Sequence, residues 1–76
     1  MTLFTYISHN IDRIKFDMRI GIVSCALMKH WQIYSRYDYY KRLGNMTQNS
    51  VIGCMNDFQV DESTVYRIIK KMEAEI

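Results

Sequence analysis

At 76 residues and 9.1 kDa, the chain has room for one packed domain, residues 1–76, and none for a cleft between two halves, which favours a binding module over an enzyme. Hydrophobic residues make up 49% and charged residues 24%, a balance that excludes a disordered tail or a collagen-like repeat, and the absence of proline argues for helices over a turn-rich β module. The net charge of +2 and pI near 8.6 fall short of the strongly basic balance that marks a nucleic-acid binder by charge alone.

Leu3 to Phe16 places Phe4, Ile7, Ile11 and Ile14 at helical spacing, with Ser8 and Asn10 as competing caps, and is expected to be helical. Ile20 to Met28 is apolar nearly all round, broken only by Gly21 and Ser24. It reads either as a buried helix, for which Asp17 is a candidate cap, or as a buried strand, and periodicity does not separate the two. It is too short to span a bilayer. Lys29 to Leu43 carries Ile33, Tyr37 and Tyr40 along one face, with Trp31 and Tyr34 beside it, and is expected to be a helix ending at Leu43 before Gly44.

After the turn signal Gly44-Asn45, residues 48–58 place Val51, Cys54, Met55 and Phe58 on one helical stripe. Val65, Ile68, Ile69 and Met72 repeat the same spacing, and Ile76 extends it. Thr47 and Asp61 are the expected N-caps of these two helices. Met46 and Val60 stand five residues before Val51 and Val65, the spacing of a hydrophobic staple. Asp61 and Glu62 put negative charge at the positive end of the second helix, and Lys70 and Lys71 lie near its other end. With only Gln59 and Val60 between Phe58 and Asp61, the two helices are expected to cross steeply. The chain is therefore read as all-α, a small bundle of three to four helices with a C-terminal helix-turn-helix at about 47–72.

Phe58-Gln59-Val60-Asp61-Glu62-Ser63-Thr64-Val65-Tyr66-Arg67 resembles the turn and recognition helix of serine recombinase (invertase and resolvase) DNA-binding domains, where a Phe-Gly-Ile turn precedes a Ser-Thr-x-Tyr-Arg run. Related Ser-Thr-Val-Tyr-Arg stretches recur in other helix-turn-helix regulators. The resemblance covers about the last third of the chain. The family has glycine where Gln59 stands, because that residue tends to adopt a left-handed backbone, and a small residue where Met55 stands. Neither a basic N-terminal arm nor a recombinase catalytic domain is recognisable.

With the apolar stripe of the second helix turned inward, Ser63, Arg67 and Lys70 face outward, flanked by Tyr66 and Lys71. The resemblance implies base contacts by Ser63 and Arg67, and the arginine fork suits guanine O6 and N7. Tyr66, Lys70 and Lys71 are assigned to phosphates. Residues 44–76 hold three basic and five acidic side chains, net −2, against four and one, net +3, in 29–43. Duplex affinity therefore calls on Lys29, Arg36, Lys41 and Arg42 as further phosphate contacts, and on a homodimer that sets two recognition helices one DNA turn apart.

The first reading is thus a DNA-binding protein, a transcription regulator or mobile-element factor whose partner is double-stranded DNA. The second is a helical protein-interaction and dimerisation module with the helix-turn-helix shape and no DNA binding. A third assigns Tyr34, Tyr37, Tyr39 and Tyr40, with Arg36, Lys41 and Arg42, to stacking on single strands. Cys25 and Cys54 are far apart and out of register with His9 and His30, so no metal site is expected. No cofactor, small-molecule substrate or catalytic constellation is indicated. With neither a signal sequence nor a membrane span, the expected location is the cytoplasm.

Overall fold

The computed structural model describes residues 1–21 and 24–76. Among these, the chain forms five helices and no strand: α1 (Leu3–His9), α2 (Ile11–Arg19), α3 (Cys25–Arg42), α4 (Thr47–Phe58) and α5 (Glu62–Met72). The all-α expectation holds, with more elements than the three to four read from periodicity. An isolated backbone bridge joins Thr2 to Glu75.

The apolar stripe of residues 3–16 is real, with Ile7 and Ile14 buried, but it belongs to two helices. Asn10 leaves helical geometry at φ −120° and ψ 24°. Its amide donates to the Tyr6 carbonyl, while its own carbonyl accepts from Ile14 N–H and so starts α2. The run Ile20 to Met28 is neither one helix nor a strand where it is described. Ile20 caps α2, Gly21 turns the chain at φ 87°, and α3 begins at Cys25, earlier than Lys29, with Ser24 Oγ accepting from Ala26 N–H. Ile22 and Val23, within that run, lie outside the described residues. Asp17 sits inside α2 and caps nothing.

α3 is the spine. Met28, Ile33 and Tyr37 are buried along it, and α4 and α5 both pack on it and on each other, while α2 packs chiefly on α1. The buried core joins Ile7, Ile14, Met28, Ile33 and Tyr37 to Val51, Cys54, Val65, Ile68 and Met72. The two stripes of repeated spacing thus meet each other and α3, with Met55, Phe58 and Ile69 half-buried at their edges. α4 comes close to α3 at Gly53, where a Cβ would lie 2.6 Å from Tyr40 Cε2.

The two helix starts differ. Asp61 caps α5 as expected, its carboxylate accepting from Thr64 N–H at 2.8 Å. Thr47, by contrast, is the first residue of α4; extended Met46 occupies the cap position with no side-chain bond. The Thr47 hydroxyl instead accepts from Lys41 Nζ at 3.0 Å. Met46 is 74% exposed, so the expected staple to Val51 does not form. Val60 is half-buried against the core.

Candidate nucleic-acid interface

The geometry of the α4–α5 turn follows from three residues. Gln59 ends α4 at φ 53° and ψ 49°, in the left-handed region, and its N–H is used to close the α4 terminus on the Met55 carbonyl. Val60 then packs inward and Asp61 opens α5. Because Val65, Ile68 and Met72 are buried, the helical period turns Ser63, Tyr66, Arg67, Lys70 and Lys71 to the exposed side.

The structure gathers part of the expected set and disperses the rest. Arg67 and Lys71 line a cleft of about 170 Å³ together with His30, Thr64 and Ile68, and Lys71 Nζ stands 3.4 Å from His30 Nδ1. Burial, reinforced by Lys71, Arg67 and Lys29, holds the His30 imidazole below its ordinary 6.5. None of Lys29, Arg67, Lys70 and Lys71 takes part in an ion pair among the described residues.

The remaining basic residues sit on the C-terminal half of α3 and are engaged there. Arg36 Nε is 3.8 Å from Asp57 of α4, and its guanidinium lies over the Tyr39 ring at 5.8 Å. Arg42 pairs with Asp38 one turn back, and Lys41 is bound to Thr47. Arg36, Lys41 and Arg42 are therefore not brought together with the α5 face. Lys29 and Arg42, thirteen positions apart on one helix, are separated by about 20 Å along its axis.

The tyrosines do not form a stacking platform. Tyr37 is buried, Tyr34 gives its hydroxyl to Glu73 at 3.0 Å and packs on Phe4, and Tyr40 donates to Asp57 at 2.6 Å. Burial and Glu73 together push the Tyr34 phenol far above its ordinary range. Tyr39 alone of the four has an exposed ring. It borders an open groove of about 450 Å³ with Trp31, Gln32, Ser35, Arg36 and Phe58.

These hydrogen bonds also fix where the acids are held. Of the acids in residues 44–76, Asp57 and Glu73 accept from tyrosine hydroxyls and Asp61 from its own helix; each keeps its charge but is held in place, and none of the three pairs with a cation of α5 among the described residues. Cys54 is buried, donates weakly to the Ile33 carbonyl, and has its thiol pushed up to about 11 by burial; it is a packing residue. Cys25 is exposed and unpaired. No group of three or more potential metal ligands occurs among the described residues, and no described helix is long and apolar enough to cross a membrane.

His30 and Thr64 are the residues that sequence reasoning missed. Thr64 sits in the Ser-Thr-Val-Tyr-Arg run and is a matter of assigning faces. A single histidine beside Lys29 carries no local signal of its own, and only the packing of α3 against α5 gives it neighbours. No family model, no curated protein and no solved structure matches the chain.

Proposed function

We propose that the chain is a helix-turn-helix protein that binds duplex DNA, as a transcription regulator or mobile-element factor, with α4 and α5 as the crossed pair and α5 in the major groove. The observation that carries this reading is the exposed side of α5. Ser63, Tyr66, Arg67, Lys70 and Lys71 lie there together, and among the described residues no ion pair neutralises the cations of this set. The left-handed Gln59, at the position where the resembling recombinase domains carry glycine, and the Asp61 cap support the same reading. Ser63 and Arg67 reach base edges, while Tyr66, Lys70, Lys71 and Lys29 meet phosphates. Arg36, Lys41 and Arg42 join only where a second protomer or a bent duplex reaches their end of α3. A homodimer supplies the second recognition helix.

The groove edged by Trp31, Tyr39 and Phe58 favours a second reading, a helical protein-interaction module without DNA binding. Retention of a randomised duplex pool at two salt concentrations separates them. The expected result is retention that weakens with salt, with Arg67→Ala relaxing preference at one base position by about 1–3 kcal/mol. A parent protein that retains no duplex at low salt sinks the DNA reading in favour of the second.

A further inference from the structure

We propose that the cleft between α3 and α5 is a seat for a phosphate group, built by His30, Thr64, Arg67 and Lys71. For a duplex phosphodiester the inference rests on the DNA-binding reading above; for free phosphate it stands apart from it. Its walls are the apolar Ile68 together with an ammonium, a guanidinium, an imidazole N–H and the Thr64 hydroxyl, which also bonds the Asp61 carboxylate, and no carboxylate is among the lining residues. Those donors match the oxygens of a tetrahedral oxyanion, with the arginine fork and lysine point charge in complementary roles. A volume of about 170 Å³ is ample for one such group.

The electrostatics of the cleft point the same way. His30 faces Lys29 on its own helix and Arg67 and Lys71 from α5, and all three disfavour a further positive charge. The carboxylate of Glu73, near the end of α5, is held by the Tyr34 hydroxyl and is not among the lining residues. At 3.4 Å, Lys71 Nζ can donate to His30 Nδ1 only while that nitrogen is unprotonated. An entering phosphate draws off the lysine and offers the imidazole an acceptor, so binding brings proton uptake by His30. The consequences for stability and for binding then have opposite signs. Since the folded-state value lies below 6.5, the unfolded chain binds more protons as pH falls through 6.5, and stability declines there. Phosphate affinity rises over the same interval.

The test follows the His30 ring signals of the intact protein by NMR from pH 5 to 8, at fixed ionic strength, in chloride, in inorganic phosphate and with a short duplex. Duplex affinity is measured across the same range for the parent and for His30→Gln, Lys71→Gln and Thr64→Val. Arg67 is left intact because it is also assigned to bases. The expected result is a His30 midpoint raised by phosphate, by duplex or by both. Duplex affinity should tighten at least about threefold from pH 8 to pH 5.5 in the parent and stay flat in His30→Gln.

A midpoint raised only by duplex assigns the seat to the DNA backbone. One raised by inorganic phosphate in a protein that retains no duplex supports the seat while sinking the DNA reading. Duplex binding with an unmoved His30 midpoint and the same pH profile in His30→Gln overturns the seat and leaves the DNA reading standing. Neither ligand moving His30, with no duplex retained, overturns both.

Discussion

Gln59 is the described residue that carries a side chain at positive φ. The left-handed region sets Cβ against the following carbonyl at a cost of roughly 1–2 kcal/mol, and Gln59 is exposed, so few contacts offset that cost. Glycine removes the clash but raises the entropy of the unfolded chain, which returns about 0.4–1 kcal/mol. Gln59→Gly should therefore raise stability by about 0.5 kcal/mol, read as a higher denaturant midpoint at unchanged slope. Gln59→Val, β-branched at positive φ, should move the midpoint the other way. A lower midpoint for the glycine variant would show that the amide side chain makes a contact worth more than the strain. The position was legible in the sequence only because the resembling family has glycine there; nothing in the residue itself marks the turn.

At the scale of helices, what the sequence disclosed depended on whether the signal was local. The stripes of α4 and α5 and the Asp61 cap repeat over short spans, and the structure has them. The break at Asn10 is invisible because the apolar period runs through it unbroken from Phe4 to Ile14, so only the bonds of Asn10, its side-chain amide to Tyr6 and its backbone to Ile7 and Ile14, divide α1 from α2. Thr47 was misassigned because a hydroxyl near a helix start serves Lys41 as readily as the backbone. His30 needed α5 to acquire meaning. The Asp61 cap also sets a pH dependence. The hydrogen bonds from Thr64 hold its carboxyl below the ordinary 3.8, so its contribution is present above that value and is lost as pH falls through the depressed folded-state value. Asp61→Ala should lower the melting temperature at pH 7, with the gap to the parent narrowing as pH falls below 3.8. A gap that persists undiminished at pH 2.5 would mean that the aspartate acts through something other than its ionised cap.

For the whole molecule, the net charge of +2 matters less than where the charges are held. α3 carries cations at both ends: Lys29 in its first half has no ion pair among the described residues, whereas Arg36, Lys41 and Arg42 are engaged toward α4 or within α3. If Arg67 reads a base, one protomer presents Lys29, Lys70 and Lys71 to phosphates. The logarithm of duplex affinity should then fall against the logarithm of salt with a slope of about −2.7 per protomer, and about −5.4 for a dimer. Dimerisation is the expected state, since three such contacts bind weakly and large apolar side chains stay exposed, among them Phe16 and Ile20 at 55% and 54% near the end of α2 and Leu43 at 62% beyond α3. Sedimentation at rising concentration and the salt slope measured at pH 8, where His30 is neutral, must agree: a dimer with the steeper slope, which Lys41→Gln and Arg42→Gln leave unchanged. A monomer with a slope near −2.7 would remove the dimer. A slope that weakens by about 1.8 per protomer, or about 3.6 for a dimer, in the Lys41 and Arg42 double variant would return those residues to the interface and require the duplex to wrap the far end of α3.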